Sequence, residues 1–151
     1  MALEMKQATD YDVDTMINIS NEAFYEDYVT YGEYPGYNRT RESMLQTIHE
    51  TDAYIFYNGK IPVATVTVRE RENACYYIGT LCVIPEYQHK GIGRLALQKV
   101  REMYPQAKTF TLKTPADKIR NIEFYERQGY KIVSENMDGH VKIVNFELCV
   151  Q

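Results

Sequence analysis

The segment whose residue types best suit chemistry is a loop with two glycines. It follows an apolar, strand-like run that ends at Pro85, and it opens a predicted helix. N–H groups at a helix start lack internal partners and lie at the positive end of the helix dipole. Glycines let a bulky anion approach such a backbone closely, so we predict a phosphate or pyrophosphate site. The predicted anion-binding residues are Gln88, His89, Lys90, Gly91, Ile92, Gly93 and Arg94.

Two well-known phosphate-binding motifs differ from this loop. The P-loop requires Gly-Lys-Ser/Thr after four intervening residues, which the chain lacks. The dinucleotide fingerprint requires a third glycine within a βαβ unit, and here that position is Ala96 in a different order of elements. An ordinary strand-to-helix turn without a ligand remains the alternative interpretation.

Two motifs together resemble the GNAT N-acetyltransferase superfamily. Gln-x-x-Gly-x-Gly at residues 88–93, directly after Leu-x-Val-x-Pro at residues 81–85, is similar to its acyl-CoA motif. Phe-Tyr-x-x-x-Gly-Tyr at residues 124–130, preceded by Asn121, is similar to its C-terminal signature. The order of predicted elements resembles the family along essentially the whole chain.

The resemblance implies a fold, a co-substrate and a reaction. The fold is α+β, a mixed, mostly antiparallel twisted sheet of about seven strands flanked by about four helices. The co-substrate is acetyl-CoA. The reaction is transfer of the acetyl group to a primary amine of a small molecule or peptide, by direct attack on the thioester.

The resemblance also implies roles for individual residues. The backbone of Leu81, Cys82 and Val83 is expected to bind the pantetheine arm, and the loop amides the pyrophosphate. Asn121 is expected to contact CoA from the opposite side, and Tyr125 to protonate the departing thiolate. The alternative for Tyr125 is a core aromatic residue of the last helix.

Two positions depart from the family pattern. Some members carry a catalytic glutamate where this chain has Tyr77, and many carry an asparagine where it has Lys118. The general base is therefore left open between ordered water and several carboxylates. The candidate carboxylates are Glu22, Glu26, Glu70 and Glu72.

A tyrosine-rich segment, Phe24 to Tyr37, is predicted to line the acceptor site. Tyrosines recur there at every third residue from Tyr25 and alternate with carboxylates. Aromatic faces and carboxylates both attract cations, so we predict a cationic amine as acceptor. The residues expected to contact it are Phe24, Tyr25 and Tyr28.

The elements that must position these residues are predicted from hydrophobic periodicity. The predicted order is strand, two helices, three strands, helix, strand, helix and two strands, forming one domain over residues 1–151. Hairpin turns are predicted at Asn58-Gly59 and around Asp138-Gly139. A change in apolar phase after Ile143 predicts a bulge in the last strand.

Composition excludes several classes of function. A net charge of −4 argues against a nucleic-acid partner. Three cysteines without Cys-x-x-Cys spacing predict neither disulfides nor a metal site. The N-terminal residues do not resemble a signal peptide, and no apolar run is long enough to span a membrane, so we expect a cytoplasmic protein.

Two further hypotheses accompany the enzyme. One is a catalytically silent acyl-CoA-binding module, for which Tyr77 in place of a carboxylate would be the sign. The other is a protein-interaction domain that shares only the fold. Exposed sheet edges also make a homodimer possible, by analogy alone.

Overall fold

A computed structural model describes residues 2–150 of the chain. These residues form two compact units, residues 2–68 with 80–99 and residues 69–79 with 100–150. The strands are β1 (Leu3–Gln7), β2 (Asp52–Asn58), β3 (Ile61–Arg71), β4 (Cys75–Val83), β5 (Thr109–Pro115), β6 (Lys131–Asp138) and β7 (Val141–Cys149). The helices are α1 (Val13–Tyr31), α2 (Arg41–Glu50), α3 (Ile92–Met103) and α4 (Ile119–Arg127).

The predicted fold class is confirmed. The strands form a seven-stranded sheet in the order β1-β2-β3-β4-β5-β7-β6. β4 pairs with β5 in parallel, whereas β1–β2, β2–β3, β5–β7 and β6–β7 are antiparallel. The result is a mixed, mostly antiparallel α+β fold with four α-helices.

In the first unit, β3 is buried along six consecutive residues, from Val63 to Val68. A strand buried at every position is covered on both faces, so Thr65 and Thr67 are buried together with the four apolar residues. The stripe of α1 that includes Met16 and Ile19 is also buried. Each such side chain stabilises the fold by about 1.5–3 kcal/mol relative to exposure.

In the second unit, β5, β7 and α4 contribute the core. Phe110 and Phe146 are almost fully buried on β5 and β7. Tyr76 of β4 is buried beside Tyr104, with ring centroids 4.7 Å apart, and its hydroxyl accepts a 2.6 Å hydrogen bond from the Gln106 amide. The buried phenol thus has the polar partner that burial requires.

The hairpin turns lie one residue later than predicted. Asn58 still pairs with Ile61, so Gly59 and Lys60 form the first two-residue turn. Gly59 has a φ of +63°, and glycine in the first turn position suits a type II′ turn. The last hairpin is displaced in the same way, with Gly139 as its first turn residue.

The predicted bulge lies on the neighbouring strand. The β6–β7 register shifts between Ile132 and Ser134, which leaves Val133 unpaired in β6. β7 keeps an unbroken register with β5 through Ile143 and Val144. Both residues are buried because β7 is covered on both faces there, so the change of apolar phase reflects burial rather than a bulge.

No helix within residues 2–150 is both long enough and apolar enough to cross a membrane.

Candidate functional site

The end of β4 is tied to the loop that follows it. Ile84 donates a backbone hydrogen bond of 3.0 Å to the Val63 carbonyl, which continues the strand's attachment to β3. The Gln88 side-chain amide then donates a 3.0 Å hydrogen bond to the Val83 carbonyl. Gln88 also uses its backbone N–H, which donates to the Pro85 carbonyl at 3.2 Å. Gln88 therefore shapes the loop with both groups.

The loop backbone is left-handed at two residues. His89 has a φ of +62° and Gly91 a φ of +82°. The first hydrogen bond of α3 runs from the Leu95 N–H to the Gly91 carbonyl, at 3.1 Å. The N–H groups of Ile92, Gly93 and Arg94 therefore precede the first helical bond, as at any helix start. The Gln88 N–H, by contrast, already donates to the Pro85 carbonyl. It was part of the predicted anion-binding set, but this bond leaves it less available to an anion.

The electrostatics of this loop favour an anion. The first turn of α3, wholly within the described residues, contains no acidic side chain. Lys90 and Arg94 are exposed, with the Lys90 Nζ 5.3 Å from the centre of the Tyr87 ring. A Cβ built on Gly91 would meet nothing within 4 Å. The loop therefore offers open space in front of free amides and cations, which fits a pyrophosphate.

Leu81, Cys82 and Val83 form the end of β4. Leu81 and Val83 are half-buried, whereas Cys82 is buried with its thiol 3.2 Å from the Thr65 hydroxyl. Burial raises the pKa of the Cys82 thiol. Its side chain is therefore an inert core group, and only its backbone can serve a ligand.

Tyr125 lies on α4 within the aromatic core of the second unit. It is 9% exposed, and its ring centroid is 5.5 Å from that of Phe146 and 6.0 Å from that of Tyr130. The Tyr130 N–H donates to the Tyr125 carbonyl at 3.0 Å. The Phe124 ring lies 5.2 Å from the Tyr125 ring as well. The Tyr125 ring therefore packs against three aromatic neighbours.

Asn121 is anchored to the strand that precedes its helix. Its side-chain amide donates a 3.2 Å hydrogen bond to the Thr114 hydroxyl, and Thr114 is itself buried. This bond uses the amide nitrogen of Asn121 and not its side-chain oxygen. Thr114 was not singled out by the sequence, because a partner seven residues away leaves no local pattern.

The Tyr77 ring is in contact with a cation. The Arg71 guanidinium lies 4.6 Å from the centre of the Tyr77 ring, a cation–π contact. The connection between them is left-handed at Asn73 and Ala74, with φ values of +59° and +55°. A left-handed backbone costs a non-glycine residue about 1–3 kcal/mol, and here two such residues follow one another.

The tyrosine-rich segment is helical for about half of its length. α1 continues to Tyr31, since no glycine or proline interrupts it, and ends at Gly32 with a φ of +79°. Beyond Gly32 the chain turns back along α1. The Asn38 N–H donates a 2.7 Å hydrogen bond to the Asn21 side chain, which closes this return. Asn21 was missed in the sequence because its partner is 17 residues away.

The returning loop places tyrosine rings against one another. Tyr28 and Tyr37 are stacked with centroids 4.4 Å apart, and Tyr25 lies 6.1 Å from Tyr37. Tyr25 is 55% exposed and Tyr28 40% exposed. We call these three residues the tyrosine platform; it presents aromatic surface to solvent.

Phe24 packs against the loop that follows α1. Its ring packs 5.2 Å from Tyr34, and a Cβ on Gly36 would lie 2.5 Å from it. Only glycine permits that approach of backbone to ring. Phe24 therefore holds the loop against α1, while Tyr25 and Tyr28 remain available to a ligand.

Tyr130 provides a prediction about stability. Its hydroxyl is buried and has no hydrogen-bond partner within residues 2–150, so Tyr130→Phe should raise the free energy of unfolding by about 1–2 kcal/mol. Burial, and then the nearby Tyr125 phenol, raise the pKa of Tyr130. Above about pH 10 the phenol of the unfolded chain loses its proton while that of the folded chain keeps it, which favours unfolding. The free energy of unfolding of the wild type should therefore fall more steeply there than that of the variant. Urea unfolding against pH checks both effects; a less stable variant would contradict the unpaired hydroxyl.

No group of three or more His, Cys, Asp or Glu side chains within residues 2–150 could hold a metal ion.

Comparison with solved structures identifies the fold. The chain is similar to the PaiA N-acetyltransferase of Thermoplasma acidophilum in complex with coenzyme A, with 18% identity, a TM-score of 0.81 and 99% of each chain covered. It is also similar to the ribosomal-protein-S18-alanine N-acetyltransferase of Escherichia coli, with 14% identity and a TM-score of 0.80 over 99% of this chain and 94% of the other. An acetyltransferase of Thermus thermophilus aligns with a TM-score of 0.83 and 14% identity, over 99% and 98% of the chains. No curated protein sequence is similar enough to count as a match.

These similarities show that the chain has the fold of the acetyltransferases. The sequence profile of the acetyltransferase (GNAT) family matches residues 13–130, most of the chain. The chain therefore belongs to the acetyltransferase (GNAT) family, and its co-substrate is acetyl-CoA. The resemblance predicted from the two motifs is confirmed.

Proposed function

We propose that this protein transfers the acetyl group of acetyl-CoA to a primary amine of a small molecule or peptide, by direct attack on the thioester. The observation that carries the proposal is the loop before α3, where free helical amides and two cations surround open space at Gly91. This combination suits the pyrophosphate of CoA.

The donor side of the site is supplied by β4 and the loop. Ile92, Gly93 and Arg94 contribute amides that precede the first helical hydrogen bond. The β4 backbone at Leu81 to Val83 would hold the pantetheine arm as an additional strand partner does, while Asn121 offers its side-chain oxygen. Acetyl-CoA supplies an acyl group that is already activated, so the protein needs chiefly to orient it and to manage protons.

Tyr125 is the proposed general acid. A phenol hydroxyl carries a proton that it can donate to a departing thiolate. Its ring is fixed by three aromatic neighbours, which would hold the hydroxyl in one place. Such fixed positioning is what a proton donor requires.

The acceptor must lose a proton before it attacks. A lysine-like amine has a pKa near ~10.4, so exposing its lone pair at pH 7 costs about 4–5 kcal/mol. Tyr77 stands where some family members have a catalytic glutamate, and its ring contacts the Arg71 guanidinium. We therefore assign proton removal to water or to exposed carboxylates. The exposed candidates are Glu22, Glu26, Glu70 and Glu72.

We propose the tyrosine platform as the recognition surface for a cationic acceptor. Tyr25 and Tyr28 are exposed on α1, and the exposed carboxylate of Glu22 lies one helical turn before Tyr25. Ring faces and carboxylates attract an ammonium group together. Neutral and acidic acceptors would gain nothing from this surface.

The platform leads to a prediction about the acceptor. Removing one ring by Tyr28→Ala should raise KM for cationic amines about 5- to 30-fold with kcat nearly unchanged, since a cation–π contact contributes about 1–2 kcal/mol. Tyr28→Phe keeps the ring and should remain close to wild type. Thiol release across cationic, neutral and acidic amines provides the measurement.

Tyr11 supplies the matched control, because it is 97% exposed and lies outside the platform. Tyr11→Ala should leave KM unchanged. A chain that acetylates only neutral or acidic amines, or a KM insensitive to Tyr28→Ala, would contradict the platform while leaving acetyl transfer intact.

A catalytically silent acyl-CoA-binding module is the second candidate. The observation that favours it is the Arg71–Tyr77 pair at the position where some family members have a catalytic carboxylate. This candidate predicts CoA binding without thiol release for any amine, whereas the enzyme predicts release that depends on the amine.

A further inference from the structure

Arg71 is a cation held beside an aromatic ring. It stands at the end of β3, and its exposed guanidinium lies 4.6 Å from the centre of the Tyr77 ring. The contact with the ring face leaves the five N–H donors of the guanidinium for other partners. Neither of the flanking carboxylates, Glu70 and Glu72, forms an ion pair with it among the described residues 2–150. Arg71 is therefore a positioned cation whose donors are open to a ligand.

Tyr77 lies where the ladder between β4 and β5 ends. The two strands pair at three positions, and the last pair is Tyr77 with Thr111. Residues opposite each other share a face of the sheet, and side chains alternate along a strand, so Lys113 projects to the face that carries Tyr77. Lys113 is exposed and has no ion-pair partner in the part of the chain that the structure describes. Two unpaired cations, Arg71 and Lys113, therefore lie on one face near the end of this ladder.

The charge of this face is positive near Tyr77, in contrast to the net charge of −4 of the whole chain. The row of opposed residues that begins with Tyr77 continues to Glu147 of β7 and Lys131 of β6. Arg71 and Lys113 bring the total to three cations against one carboxylate. Such a surface attracts an anionic group.

We propose that the acceptor amine also carries a carboxylate, which Arg71 binds with the support of Lys113. A carboxylate accepts two parallel hydrogen bonds from a guanidinium, and the planar fork of arginine matches its geometry. A lysine side chain contributes a further point charge. The inference rests on the proposed function, since it assigns the carboxylate to the molecule that is acetylated.

The position of Tyr77 indicates the acceptor rather than CoA as the source of the anion. Some members of the family have a catalytic glutamate at this position, which serves the acceptor's amine. The phosphates of CoA are assigned to the loop before α3, where Lys90 and Arg94 supply the charge. A basic amino acid meets both recognition requirements, because it has an ammonium group for the tyrosine platform and a carboxylate for Arg71.

The test compares an acceptor that has a carboxylate with one that lacks it. Free lysine and lysinamide differ in the replacement of the carboxylate by an uncharged amide, and kcat/KM for each is measured by thiol release. Arg71→Ala should lower the preference for lysine over lysinamide about tenfold or more, which is the usual contribution of one or two charge-assisted hydrogen bonds. Comparing the preference of the wild type with that of the variant cancels the different basicity of the two compounds. Arg71→Lys should lose part of the preference, because it keeps the charge but not the fork.

Lys131→Ala is the matched control, because Lys131 is an exposed cation of the same face that lies on β6, farther from Tyr77. It should leave the preference unchanged, and none of these variants should change the affinity for CoA. An equal preference in the wild type and Arg71→Ala, or acetylation confined to amines without a carboxylate, would overturn the inference while leaving acetyl transfer intact. A loss of CoA affinity in Arg71→Ala would overturn it as well, because the bound anion would then be a phosphate of CoA.

If no amine releases thiol, the proposed function fails and binding decides the inference. Isothermal titration of the CoA-bound protein with the two compounds should then show tighter binding of lysine, and Arg71→Ala should remove the difference. Equal binding of both compounds to the wild type would contradict the carboxylate site.

Discussion

Gly91→Glu should weaken CoA binding by about 100-fold or more. Gly91 has a φ of +82° and open space in front of its Cα, so a glutamate there would project into the region proposed for the pyrophosphate. Its carboxylate would repel the phosphates and compete for the amides of α3, and two lost hydrogen bonds to a charged group account for about this factor. Isothermal titration calorimetry with CoA measures the change.

The chain contains a matched control for the backbone strain in that variant. Gly59 has a φ of +63° and equally open surroundings, but lies in the β2–β3 turn. Gly59→Glu should cost about the same 1–2 kcal/mol of stability through its left-handed backbone, and should bind CoA as the wild type does. Equal affinities for both variants would remove the loop from the binding site and favour a domain that shares only the fold.

Tyr125→Phe should lower kcat about 100-fold or more, which is the usual contribution of a general acid. The substitution keeps the ring, and with it the contacts to Phe124, Tyr130 and Phe146. CoA affinity should therefore stay close to the wild-type value. Single-turnover thiol release with a saturating cationic amine isolates the chemical step.

Tyr130→Phe is the control for that comparison, because it removes a neighbouring phenol hydroxyl from the same aromatic cluster. It should leave kcat unchanged. If both variants lose activity equally, the loss belongs to the cluster and not to the Tyr125 proton. If neither does, the enzyme has another proton donor, and the proposed role of Tyr125 is wrong.

The sequence alone predicted the order of the elements, the fold class and the family. These follow from patterns that act over short distances, such as the apolar periodicity of α3 and the glycines at 91 and 129. The Gly91 and Gly129 backbones are both left-handed, a conformation that glycine adopts without steric cost and that is common at the end of a helix such as α4. A short stretch of sequence is enough to predict these features because their physical causes act between residues close together in the chain.

The structure had to correct features that depend on burial. Ile143 and Val144 are both buried because β7 is covered on both faces, which a single strand's pattern cannot distinguish from a bulge. The actual bulge, at Val133, lies in a strand that is exposed at every position. Without a buried face, no alternation of apolar and polar residues could indicate the register.

Contacts between residues far apart in sequence were decided only by the tertiary structure. The tyrosine platform depends on the return of the chain at Gly32 and on the Asn21–Asn38 hydrogen bond. The contact of the Arg71 guanidinium with the Tyr77 ring joins residues on either side of the left-handed turn at Asn73 and Ala74. Sequence determined which residue types were present, but side-chain neighbours depend on how the backbone folds back, and that is set by packing over the whole chain.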